Sequence, residues 1–292
     1  MQSILHMIRI AFVYIPFLLL SCTGEEKLSG NSILHDITTE QVTIVTHCTN
    51  LEQSEMANIS GGKYFPLYGK DSTLVAVDSF IMDVYPVTNM EYKQFVNAMP
   101  QWKKSTVKFI FADDHYLSAW TDDTTFFPAL AADAPVTTVS WFAARAYCDC
   151  VGKRLPSLDE WEYVAMADET HADARTLDAY NQFILAQYER PQSYAESVGQ
   201  RNKNYWGLYD LHGLVWEWTE DFSSVMISGE SRKDGSNDPD LFCGSGSLGT
   251  SDLMNYAAFM RYAFRGSLEA NYNIRNLGFR CAKNISHDQP EL

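Results

Sequence analysis

Residues 134–165 read APVTTVSWFAARAYCDCVGKRLPSLDEWEYVA, and two helices are legible in them. Ser140 stands as an N-cap before the run WFAARAYCDCV, and Gly152 supplies the residue that lets the backbone turn out of a helix. Pro156 blocks continuation, so Ser157 caps a second helix. Glu160 at its third position completes a capping box, with Leu158, Trp161, Val164 and Ala165 facing inward. Working upstream, Thr88 opens a third helix with Glu91 as its box partner and Tyr92, Phe95 and Val96 on one face. Strand-like runs flank these helices, SFIMDVYPV at 79–87 and NLGFRCA at 276–282. Residues 100–139 are rich in Phe, Trp and Asp, and beyond 165 the chain is mostly Gly, Asn, Asp and aromatic residues with weak periodicity. A few helices and short strands joined by aromatic-pinned loop predict a single, irregular α+β domain.

The whole chain has 292 residues, of which 46% are apolar, enough to build a sizeable core. Its 22 Lys and Arg face 37 Asp and Glu, a net charge of −15. Nucleic acid is excluded as a partner, because phosphate binding needs a basic footprint of a size that this sequence lacks.

The N-terminus reads MQSILHMIRIAFVYIPFLLLSC over 1–22, with Arg9 as its one Lys or Arg. The apolar run from Ile10 to Leu20 is too short for a confident membrane helix, which needs about 20 residues, but it suits the core of a signal peptide. Leu19-Leu20-Ser21-Cys22 looks like a bacterial lipobox, so residues 1–21 are expected to be cleaved and Cys22 lipidated. The competing reading is an ordinary signal peptide with an incidental Cys. A polar tether is expected over 22–55, the domain over 56–284, and a short tail over 285–292. The chain is therefore expected outside the cytoplasm, held to a bacterial membrane through the lipid.

Lipidation of Cys22 leaves Cys48, Cys148, Cys150, Cys243 and Cys281, an odd number that argues against a full disulfide framework. Cys148 and Cys150 sit two apart on a helix, where side chains diverge, so they are not expected to bridge each other. They read as small core residues, with soft-metal binding as the alternative. The planar forks of Arg154 and Arg280 suit buried carbonyls or carboxylates. Of Trp216 and Trp218, one is expected in the core and the other on a groove.

Five ordered motifs, MANISGGKY (56–64), FIMDVYPVTNMEYKQFV (80–96), the stretch quoted first, NYWGLYDLHGLVWEWTEDF (204–222) and NLGFRCA, together resemble the formylglycine-generating enzyme family. This family is also called the sulfatase-modifying factor domain. The resemblance covers Met56 to Cys281 and implies a C-type-lectin-like fold with little regular secondary structure. It implies a calcium ion held by the side chains of Asp210 and Glu217 and the carbonyls of Gly213 and Val215, a hard oxygen set that suits this cation. Pairing of Glu217 with an arginine is the competing reading. The family's usual Asn after the Gly is Leu214 here, and a second calcium site is not expected because 194–201 reads YAESVGQR, with Gly199 where an acid would stand.

Active relatives oxidise a substrate cysteine with O₂ through two thiolates that bind copper(I). The corresponding window here is CGSGSLGTSDLMNYAAFMRYAFRGS (243–267), with Ser247 and Arg261-Tyr262 matching the family. No cysteine lies between Cys243 and Cys281, so copper is not expected. An iron site of the related sulfoxide synthases is not expected either: the stretch before residue 56 cannot hold the added helical domain, and the seven His are scattered. Three functional readings follow. The chain is an accessory envelope lipoprotein binding a protein, peptide or glycan through a groove near Trp216, Ser247 and Cys243; or an oxidoreductase or maturation factor with an unrecognised site there; or a purely structural envelope component.

Overall fold

A computed structural model describes residues 48, 51, 54–66, 73–190, 193–226 and 253–285. The signal segment, Cys22, Cys243 and Ser247 lie outside the described residues. Strand β1 (Met56–Ile59) pairs antiparallel with β4 (Phe80–Asp83), which pairs in turn with β7 (Ala282–Asn284) at the far end of the chain. β2 (Gly62–Tyr64) and β3 (Val75–Val77) form a separate antiparallel pair, and β5 (Trp216–Glu217) lies parallel to β6 (Leu277–Gly278). Such short strands supply little cohesion by themselves, and large buried side chains supply the rest.

Helix α1 (Asn89–Ala98) is capped by Thr88 with both halves of the box made through Glu91. α2 (Trp141–Cys150) is capped by Ser140, and α3 (Leu158–Ala165) by the Ser157–Glu160 box. Gly152 follows α2 at φ 72°, the left-handed region in which a glycine costs least. Arg154 clamps the α3 cap from outside, with Nη2 and Nη1 at 2.6 and 2.7 Å from the Glu160 carboxylate and Nη2 also reaching Asn284. Two helices appear where weak periodicity suggested only loop: α4 (Asp178–Tyr188) and α5 (Leu253–Gly266). The buried face of α5 carries Arg261 and Arg265 beside Ala257, Ala258 and Tyr262.

The larger core gathers Trp120, Tyr92, Phe95, Tyr147, Trp218 and Phe279. A second core packs Phe80 and Met82 of the three-stranded sheet against Trp161 and Val164 of α3. Among the described residues no helix is long and apolar enough to cross a membrane.

The cysteines depart from expectation. Cys148 and Cys150 are not free core residues: Cys148 is bonded to Cys281 and Cys150 to Cys48. The divergence of the two side chains on α2, which prevents them from bridging each other, is what sends each to a different partner. Residues assigned to a polar tether also belong to the domain. Cys48 is buried, and Ser54 Oγ donates to Asp83 Oδ1 at 2.9 Å in a buried site that also holds Lys153 Nζ at 2.6 Å.

Candidate functional site

The loop 204–218 passes between α3, α4 and α5, and three of its residues, Gly207, Asp210 and Gly213, have positive φ. Asp210 has φ 59°, and its carboxylate is fastened by the Gly199 N–H at 2.6 Å and by Arg201 Nη1 at 3.2 Å. Gly213 has φ 86°, and a Cβ there would collide with Gln187 of α4, so only glycine allows the loop this close to the helix.

Beneath the loop lies a buried charged network. Glu162 of α3 receives Arg261 Nη2 at 2.7 Å and Arg265 Nη1 at 2.9 Å, both from α5. Burial would raise the Glu162 carboxyl, and the two guanidinium groups overcome that and hold it below the usual range. Arg261 Nη1 also donates to the Tyr188 hydroxyl, which lies 3.1 Å from His212 Nδ1, while His212 Nε2 lies 3.0 Å from the Ala165 carbonyl. A carbonyl can only accept, so Nε2 carries the proton and Nδ1 accepts from Tyr188. Burial, reinforced by Arg261, pushes the His212 imidazole down to about 3, so it is neutral at physiological pH.

Above this network opens a cavity of about 550 Å³ whose wall includes Tyr180, Phe183, Arg201, Lys203, Asp210 and His212. A small recess of about 60 Å³ beside Trp216 and Asn276 adjoins it, sharing Gln187, Arg190 and Leu211 in its lining. Trp216 is partly exposed there, with its indole on Phe264 and Tyr188 at centroid distances of 4.8 and 4.9 Å. Trp218, two residues on, is fully buried and donates its indole N–H to the Val139 carbonyl. The structure thus brings Trp216 to a groove, while its proposed companions Ser247 and Cys243 lie outside the described residues. The network of Glu162, Arg261 and Arg265 and the cavity wall on α4 escaped the sequence reading. The Arg261-Tyr262 pair in a helix-length stretch was the available signal.

The calcium donor set does not fit the ion as these side chains stand. Glu217 is buried and engaged by Arg280 Nε and Nη2, at 2.9–3.0 Å, and by the Trp161 indole N–H at 2.7 Å. Asp210 is engaged by Arg201 and Gly199. Each carboxylate is already neutralised by a guanidinium, and the two remaining carbonyls, of Gly213 and Val215, fall well short of the roughly six to eight oxygens that calcium takes. Arg280 is wholly buried and donates in addition to the carbonyls of Asp83, Val84 and Tyr209.

Residues 41–285 match the sulfatase-modifying factor enzyme 1-like domain. The chain belongs to this family. It is 29% identical over 253 residues to the formylglycine-generating enzyme of Bos taurus, covering 71% of this chain and 66% of that protein's length, just under two thirds. It is 28% identical over 257 residues to the inactive C-alpha-formylglycine-generating enzyme 2 of Bos taurus, covering 75% of this chain and 81% of that protein. Among solved structures it is similar to PvdO from Pseudomonas aeruginosa, at 18% identity and a TM-score of 0.41 over 80% of this chain and 95% of that one. The family's matched span begins at residue 41, ahead of Cys48, in keeping with the disulfide that fastens this residue to α2.

Proposed function

We propose that this family member is an exported, lipid-anchored envelope protein that binds a protein, peptide or glycan and does not generate formylglycine with copper. The observation that carries this reading is the fate of the sulfur atoms. Cys48, Cys148, Cys150 and Cys281 are held in two disulfides, and residues 244–280 contain no cysteine. With Cys22 acylated, Cys243 is the one thiol left, and one thiolate does not make the two-sulfur site that copper(I) chemistry requires. Disulfides of this kind form and persist in oxidising compartments, which supports export. That a relative is named an inactive formylglycine-generating enzyme supports a family role without that chemistry.

The cavity lined by Arg201 and Lys203, with the adjoining recess at Trp216, is where binding would take place. Arg201 Nε is buried on its wall with no hydrogen-bond partner among the described residues, and Arg190 and Lys203 stand nearby. Cationic donors in the same lining as Phe183, with partly exposed Trp216 in the neighbouring recess, suit an extended ligand that offers oxygen acceptors along an apolar or ring-shaped body.

The test supplies the purified protein with copper(I), O₂ and a peptide carrying a sulfatase-type cysteine. The cysteine should stay unmodified by mass spectrometry; aldehyde formed faster than in the protein-free control would overturn the reading. Incorporation of radioactive fatty acid, lost in Cys22→Ala, tests the anchor.

A further inference from the structure

Three consecutive large apolar side chains, Phe109, Ile110 and Phe111, are exposed at 70%, 71% and 39%. The N–H groups of Phe111 and Ala112 both donate to the Lys108 carbonyl, at 2.8 and 3.2 Å, so the chain doubles back and sets Phe109 and Ile110 at the tip of a tight turn. The turn has a firm base. The Phe111 ring meets Trp102 and Phe142 at 6.0 and 5.5 Å, Phe142 meets Trp141, and Ala112 is buried. An aromatic platform thus holds the tip outward.

The segment that leads into the turn is basic. From Tyr92 to Ala112 the sequence carries Lys93, Lys103, Lys104 and Lys108 and no Asp or Glu, in a chain whose net charge is −15. Three acids lie close to the turn in sequence or contact: Asp113 is hydrogen-bonded by Asn273 and Asp123 by Ser105, and Asp114 is exposed beside His115. Lys104 Nζ donates to the Trp120 carbonyl, and Lys108 is exposed beside the tip. An aliphatic residue between two aromatic rings, with lysines on the shoulder, matches the boundary between headgroups and acyl chains. There apolar side chains enter the layer and ammonium groups meet phosphate.

We propose that the 103–112 turn dips into an anionic lipid surface and orients the domain on the membrane. The proposal rests on the lipid-anchor reading in one respect: the anchor keeps the turn within reach.

The test uses the processed protein as purified from the producing cell, added to vesicles of phosphatidylethanolamine and phosphatidylglycerol with brominated acyl chains. Bromine quenches indole emission on contact, so Phe109→Trp is compared with Phe183→Trp, which sits on the cavity wall, each after subtraction of the unsubstituted protein. Emission added at 109 should be quenched about twofold or more relative to that at 183, and Lys103→Glu with Lys108→Glu should restore at least half of it. Melting temperatures near that of the parent show that the variants are folded. Equal quenching at the two positions overturns the proposal, including the case in which a protein partner covers the turn. Fatty-acid labelling of the same preparation reports on the anchor separately: label without quenching fails the turn alone, and quenching without label fails the anchor alone.

Discussion

Arg280 and Glu217 meet with both side chains fully removed from solvent, the guanidinium Nη2 at 2.9 Å from Oε1 and Nε within 3.0 Å of both carboxylate oxygens. Three backbone carbonyls take the rest of the guanidinium, so the pair links β4, the 204–218 loop and β5 at one point. Glu217→Gln removes the charge and leaves Arg280 buried without its counter-ion. Loss of a partner in such a pair costs about 3–5 kcal/mol, which urea denaturation would read as a lower midpoint at an unchanged slope.

Calcium should contribute nothing to stability, because both acids of the expected donor set are occupied by arginines. Chelator and millimolar calcium should give superimposable melting curves. A ligand bound only by the folded state at a hundredfold excess over Kd would add about 2.7 kcal/mol, so a clear rise with calcium would return the ion to this loop.

His212 links stability to pH. Its folded value of about 3 lies below the ordinary 6.5, so the unfolded chain takes up a proton that the folded one refuses. This contribution is complete above pH 6.5 and is lost as pH falls toward 3, at about 1.4 kcal/mol per unit. His212→Gln should lower stability at pH 7 yet flatten its decline between pH 6 and 4, measured by denaturation at each pH. An unchanged slope would show that His212 already titrates normally in the fold.

Alkylation of the unfolded, unreduced, lipid-processed protein should add one label, on Cys243, and after reduction five. Replacing Cys148 and Cys281 together by Ala opens a link across 133 residues, for which a cost of about 4–5 kcal/mol follows from loop entropy. Two or more labels before reduction would refute the pairing.

What the sequence made legible was local. Thr88–Glu91 and Ser157–Glu160 announce their helices because the signal spans three residues and needs nothing distant. The part α5 plays was hidden because two of its interior residues are arginines, whose place in the core makes sense only once Glu162, about a hundred residues upstream, comes to meet them. The disulfides were hidden for a related reason: the partners lie 102 and 133 residues apart, and an odd count of cysteines pointed away from pairing. The ordered motifs carried the family, and among them the Glu217 position carried two incompatible expectations, cation ligand and arginine partner. In the structure Glu217 is paired with Arg280.

The Cys48–Cys150 link also defines how the domain carries mechanical load. A pull on the residues that precede Cys48 enters α2 at its last residue through a covalent bond and bypasses β1, which begins only at Met56. Two residues earlier on the same helix, Cys148 passes that tension to Cys281 next to β7. Force from the N-terminal side is therefore shared between one helix and the C-terminal strand through sulfur bridges, and the hydrogen bonds between β1 and β4 are spared from unzipping.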